Sequence, residues 1–147
     1  MRALALLPVL ACLSAGARGE LLSRCQLARL LQRGGLDGFM GYRLDNWLCL
    51  AFYASRFDTG TVTENSDGSS DYGIFQINSR RWCSDQRSRT LDLCQTRCRD
   101  LLTADLADDI SCVKKVVMDW QGMGVWMPWR DHCKGRDLSH WVASCNL

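Results

Sequence analysis

DGSSDYGIFQINS, residues 67–79, is the stretch whose reading decides the fold. It ends a longer segment, TGTVTENSDGSSDYGIFQINS (residues 59–79), in which short β-prone pieces alternate with Asn, Asp, Gly and Ser. That texture predicts a small antiparallel sheet with tight turns. One carboxylate, Asp71, stands in its middle in a polar setting. Just upstream, LCLAFYASRFD (residues 48–58) reads as an apolar helix running into a loop, and its middle carries nothing that titrates. A cleft formed by these two pieces has one carboxylate where hydrolytic chemistry usually wants two.

Working outward, the helix extends over roughly residues 44–56. Trp47, Leu50, Phe52, Tyr53 and Phe57 make it apolar on most sides, which predicts a central helix rather than a surface one. SRCQLARLLQRGG (residues 23–35) predicts a helix capped by Ser23, with an apolar stripe from Cys25, Leu27, Ala28, Leu30 and Leu31, stopped by Gly34-Gly35. A loop rich in Arg and Cys follows the sheet to about residue 104. ADLADDISCVKKVVMD (residues 104–119) predicts another helix, its acids early and Lys114-Lys115 late, as the helix dipole favours. VWMPWRDHC adds a short aromatic helix expected to break around Pro128. No internal repeat or linker interrupts the pattern. The expected class is α+β: a helical lobe from both chain ends, a small β-lobe inserted between, and a cleft at the seam.

The first nineteen residues read differently. Arg2, an apolar run over residues 3–13 and the small residues of Ala17-Arg18-Gly19 form the pattern of a secretory signal peptide, too short for a membrane span. Residues 20–147 are then the domain, of a length expected to form a single one. Cys12 leaves with the leader, so eight of the nine cysteines remain. Eight cysteines in a secreted chain imply four disulfides, and spacing alone leaves every pairing open. Cys94-x3-Cys98 has neither His partners nor a second close cysteine pair, which argues against zinc.

Charge narrows the partners. The 18 Lys+Arg lose Arg2 and Arg18 with the leader, leaving 16 against 16 Asp+Glu. A formally neutral chain has no long-range pull toward nucleic acid, anionic lipid or a bacterial envelope. Of its 16 cations 13 are Arg, which suits planar, bidentate contacts better than diffuse attraction.

Across residues 20–147 the chain resembles the C-type lysozymes, a family that includes α-lactalbumin. The matching segments are SRCQLA, GLDGFMGYRLDNWLCLA, DGSSDYGIFQINSRRWC, DLLTADLADDISC and GMGVWMPWRDHCKGRDLSHWVASC, with all eight cysteines in register. The resemblance implies a lysozyme-like fold with disulfides Cys25–Cys145, Cys49–Cys133, Cys83–Cys98 and Cys94–Cys112. It also implies a retaining glycosidase site, in which one carboxylic acid protonates the leaving oxygen and an ionised carboxylate about 5 Å away stabilises or attacks the sugar cation. Lysozymes are the type case of that pairing, so the roles are borrowed rather than deduced. Asp71 matches the second carboxylate; taken alone it reads more readily as a hairpin acid bonding local amides. The general acid's position is held by Ala54, which cannot donate a proton. Neither Asp58, a helical turn further on, nor Glu64 in the β-lobe is expected to replace it.

The sugar-holding positions are better kept. By resemblance Asn65, Asn78, Trp82, Asp119, Val125 (through its backbone) and Trp126 map onto positions that bind N-acetylated sugars, although Trp126 reads by itself as readily as a core residue. Arg81 stands where a second cleft tryptophan is common, which trades a stacking face for a guanidinium that suits a carboxylated or sulfated glycan. DLLTADLADDISC resembles the calcium loop of α-lactalbumin and some lysozymes: Asp108 and Asp109 would supply carboxylates, Asp100 and Asp105 backbone carbonyls. Thr103 occupies the third carboxylate position, so calcium is expected to be weak and not required. The same acids also suit a plain helix N-terminus.

The function expected from this set is a secreted, monomeric, lysozyme-like protein that binds N-acetylglucosamine-containing glycans, free or on glycoproteins, without hydrolysing them. Secretions and the sperm acrosome are the settings the resemblance implies. Two alternatives stand beside it: a weak bacteriolytic muramidase cleaving peptidoglycan β-1,4 links, and an α-lactalbumin-like regulatory subunit of a glycosyltransferase.

Overall fold

The computed structural model describes residues 19–87 and 89–147, together with Ala3 and Ala5. The rest of the expected signal peptide lies outside the described residues. Helix α1 (Arg24–Arg33) begins where Ser23 predicted: the Ser23 side chain accepts from the Gln26 N–H, and Gln26 returns a bond to the Ser23 N–H. This reciprocal cap satisfies two amide donors that an open helix end leaves unpaired. Leu27, Ala28 and Leu31 are its buried stripe. Gly35 ends it in the left-handed region at φ 81°, where a side chain would be strained.

Helix α2 (Leu44–Ser55) is central, as its sequence implied, with Trp47, Leu48 and Leu50 fully enclosed. It packs against α1, against α4 (Met127–His132) and against a short 3-10 helix over Ser139–Trp141. Trp47 meets Phe75 of the β-lobe and Trp126 edge to face, at ring separations of 6.1 and 6.4 Å. Sulfur, aromatic and aliphatic residues from both lobes thus share one hydrophobic core.

The β-lobe is a three-stranded antiparallel sheet in the order β1 (Val62–Glu64), β2 (Ser70–Tyr72), β3 (Ile77–Asn78). Asp71 pairs with Thr63 on one side and Asn78 on the other. The alternation of β2 buries Ser70 and Tyr72 and leaves Asp71 half-buried on the opposite face. All four disulfides take the pairing implied by the resemblance: Cys25–Cys145, Cys49–Cys133, Cys83–Cys98 and Cys94–Cys112. The first spans 120 residues and ties the chain's end to α1.

Two expectations need correction. Helix α3 runs only over Ala107–Val116, shorter than residues 104–119. Its start is displaced because the Asp105 carboxylate accepts the Ala107 N–H at 2.9 Å from outside the helix. Its end tightens into turns, with Met118 and Asp119 donating to Lys115 and Val116. Pro128 does not break the aromatic helix but opens it, lying within the first residues of α4. Proline's missing N–H is harmless there, since first-turn amides have no intrahelical acceptor.

Candidate functional site

The end of α2 is fixed before any ligand is considered. Ser55 is buried, and its hydroxyl lies 3.0 Å from the Ala51 carbonyl and 2.8 Å from that of Ile74 in the β-lobe. One shared proton therefore pins the last turn of α2 to the opposite lobe. The next two residues, Arg56 and Phe57, are both left-handed, at φ 55° and 65°. For side-chain-bearing residues each costs on the order of 1 kcal/mol. The Arg56 guanidinium lies 4.3 Å over the Phe52 ring beside this turn. The chain thus leaves the helix sharply after Ser55, so residue 54 faces the seam between the lobes.

A cleft of about 270 Å³ opens there, lined by Ala54, Asp71, Asn78, Trp82, Val125 and Trp126 together with Gln76, Ile77, Val116, Met127 and Pro128. Six positions singled out by the sequence therefore meet in one concavity. Among the described residues lining it, Asp71 is the only carboxylate. The two substitutes considered for the missing acid lie elsewhere. Asp58 turns back to accept the Gly60 N–H at 2.9 Å, and Glu64 is exposed 3.7 Å from Arg87.

The β-side wall is a hydrogen-bonded set. Asn78 Nδ2 donates to Asp71 Oδ1 at 2.8 Å and approaches Ser69 Oγ at 3.0 Å, while Asn78 Oδ1 accepts the Arg80 N–H. Asn65 donates to the same Ser69 hydroxyl at 3.2 Å. Asn65 thus lies behind the wall, joined to Asn78 through Ser69, rather than in the lining. Gln76 was not singled out by the sequence. Its amide holds the turn by donating to Thr61 and Gly73 carbonyls, and its oxygen accepts from Thr63.

The helical wall is aromatic. Trp126 is both a core and a cleft residue: it is buried, its indole N–H donates to the Phe75 carbonyl at 2.8 Å, and it also lines the cleft. The two readings of its sequence position are compatible. The Asp119 carboxylate accepts from Arg81 at 2.9 Å. The Arg81 guanidinium also lies 5.0 Å over the Trp82 ring. Arg81 therefore fastens the β-lobe to the helical lobe beside the cleft. Trp120, next to Asp119, is 89% exposed, a second residue that sequence reasoning passed over. Only its solvent exposure distinguishes it from the tryptophans of the core.

The acids at the calcium positions have separate surroundings. Asp109 is wholly buried, Asp108 is exposed, the Asp105 carboxylate is bonded to Ala107, and Asp100 pairs with Arg97 at 3.1 Å. The Asp105 carbonyl already accepts from the Thr103 hydroxyl. Among the described residues no group of three or more His, Cys, Asp or Glu side chains is placed to hold a metal. Both Asp109 oxygens are buried without a hydrogen-bond partner among the described residues. Burial, with Asp108 and Asp105 nearby, holds its carboxyl well above the ordinary aspartate range. Thr103, at the third carboxylate position, thus bonds the Asp105 carbonyl and brings no carboxylate to the loop.

A helical lobe and a small antiparallel sheet with a cleft between them, and four disulfides in the chain, define a protein of the lysozyme class. The chain belongs to the C-type lysozyme/alpha-lactalbumin family, whose family model matches residues 20–145. It is 50% identical to lysozyme-like protein 6 of Bos taurus over 97% of this chain and 96% of that one. It is also 49% identical to sperm acrosome membrane-associated protein 3 of Mus musculus, covering 98% of this chain but only 65% of the mouse protein's length. Among solved structures, the lysozyme of Equus asinus superposes with a TM-score of 0.84 at 46% identity, over 87% of this chain and 100% of that one.

Proposed function

We propose that this lysozyme-like protein binds N-acetylglucosamine-containing glycans in its cleft and does not hydrolyse them at a lysozyme-like rate. The observation that carries the reading is the lining itself, with Ala54 at the acid's position and Asp71 as its sole carboxylate among the described residues. Loss of a positioned general acid costs about 10²–10⁴ in rate, or about 3–6 kcal/mol of barrier. The holding groups need no such acid. Indole faces pack on sugar C–H faces, and amides such as Asn78 match hydroxyl and acetamide groups.

The same reading has residues 1–19 removed and the domain of residues 20–147 acting as a monomer outside the cell or in a secretory vesicle. Four disulfides suit an oxidising compartment, and no helix among the described residues is long and apolar enough to cross a membrane. The acrosome in the mouse relative's name supports an acrosomal or reproductive-tract setting. The intact Asp71–Asn78 pair keeps a weak muramidase as the second reading. Calorimetric titration with N-acetylglucosamine oligomers tests the first: saturable binding is expected, weakened at least about tenfold by Trp82→Ala. No heat and no displacement of a labelled oligomer would reject it.

A further inference from the structure

We infer that the β-lobe carries a second ligand surface, an arginine-lined extension of the cleft that accepts the sulfate groups of a sulfated glycan. It rests on the saccharide-binding reading of the cleft and names the ligand class of that site. Beside Trp82, whose ring the Arg81 guanidinium covers, lies a broad basin of about 850 Å³ lined by Arg80, Arg81, Arg87 and Arg89 against a single carboxylate, Asp67. Arg87 also lines a neighbouring hollow of about 320 Å³, with Arg97, Arg99 and one acid, Asp85. Two concavities thus meet at Arg87, each with more guanidinium than carboxylate.

This concentration is unexpected in a chain that is formally neutral beyond residue 19. The arginines are not locked away. Arg87 reaches Glu64 only at 3.7 Å, with both side chains more than 70% exposed. Arg80 bonds the Asp67 carbonyl at 2.7 Å and reaches its carboxylate only at 3.7 Å. Arg89 forms no ion pair among the described residues, nor does Arg99. Exposed pairs of this kind hold their partners weakly, and each guanidinium keeps further N–H donors to offer. Several forks on one concave face suit an anion with several oxygens repeated along a chain.

A sulfated saccharide fits better than a nucleic acid. The four arginines of the basin have no aromatic side chain among the residues that line it with them, so bases would find no stacking platform. Of the adjoining aromatics, Tyr72 lines the neighbouring hollow with its hydroxyl donating to Asp85, and Trp82 lies in the cleft, where a sugar of the same chain would sit. Arg81 links the two regions, because its guanidinium covers Trp82 while bonding Asp119.

The test compares a heparin-derived hexasaccharide, its desulfated counterpart, an N-acetylglucosamine hexamer and an oligonucleotide of matched charge, each titrated into the wild type and Arg87→Gln/Arg89→Gln. Thermal unfolding of both proteins checks that the surface variant is folded. The sulfated probe is expected to bind at least about tenfold more tightly than its desulfated form. That advantage should shrink at high salt and disappear in the double variant, while binding of the neutral hexamer stays unchanged. Neutral binding with no gain from sulfate would overturn the basin and leave the cleft reading standing. A sulfate gain lost in the double variant, without neutral binding, would support the basin and reject the cleft reading. An oligonucleotide that binds as tightly as the sulfated probe would overturn the assignment to a glycan, as would a sulfate gain that survives the double substitution.

Discussion

The two walls of the cleft have diverged. On the β-side, Asp71, Asn78, Ser69 and Asn65 form a continuous hydrogen-bonded set. On the helical side, the scaffold that aims residue 54 is intact, down to the buried Ser55 bond to Ile74, but the residue it aims is alanine. The comparison separates positioning from chemistry. A frame can hold a site in shape whatever side chain stands at residue 54, because none of the bonds that set the frame runs through that side chain.

The largest expected effect comes from restoring the acid. Ala54→Glu is expected to raise hydrolysis of N-acetylglucosamine oligomers by at least about 10², and Asp71→Asn in that background should erase the gain. The new carboxyl would enter a wall shared with Trp126, where desolvation favours its protonated form. Product analysis by chromatography reads both variants. A gain that survives Asp71→Asn would break the claim that the β-wall is catalytically competent.

Ser55→Ala sharpens the same contrast from the frame's side. It removes the hydroxyl between α2 and the β-lobe and leaves the buried Ile74 carbonyl without that donor, at a cost of about 1–3 kcal/mol. Chemical denaturation should show that loss, and the hydrolysis gained by Ala54→Glu should fall when both substitutions are combined. An unchanged gain would mean that residue 54 is aimed by something else.

Much of this was legible in the sequence, for reasons that differ by residue. The Ser23 cap and the β-strands rest on local chemistry, while the disulfide pairing and the place of Ala54 at the cleft follow from register within the resemblance. Partner choice was not legible. Asp119 maps onto a sugar-binding position, and its ion pair with Arg81, 38 residues away, has no mark in the local pattern. The carboxylates of residues 100–109, close together in sequence, are divided among Arg97, the Ala107 amide, solvent and the core. Pro128 suggested a break because its effect depends on whether it stands inside a helix or at its start. Each outcome depends on tertiary neighbours that a linear pattern does not record.

The Arg81–Asp119 pair yields a smaller expected effect. Arg81→Ala frees Asp119 for a sugar hydroxyl and should strengthen binding of neutral oligomers by about two- to fivefold, the scale of a half-exposed ion pair. Calorimetry reads this directly, and weaker binding would show that Arg81 itself grips neutral sugar.

The smallest concerns the back of the sheet. The Tyr72 hydroxyl donates to Asp85 at 2.8 Å, and burial followed by that bond raises its pKa above 10.0. The folded state therefore holds this proton longer than the unfolded chain does. The resulting stability is fully present below the unfolded tyrosine value and is lost as pH rises through the higher folded one. Tyr72→Phe should flatten that alkaline decline in a series of thermal melts, and an unaltered decline would assign it to other groups.

The central claim is binding without cleavage, and one measurement addresses it most directly. A labelled N-acetylglucosamine hexamer is held with saturating wild-type protein through many of an ordinary lysozyme's turnover times, and the oligomer is then released and sized. The account expects full occupancy by fluorescence and recovery of intact hexamer. Full occupancy accompanied by shortened products at a lysozyme-like rate would contradict it.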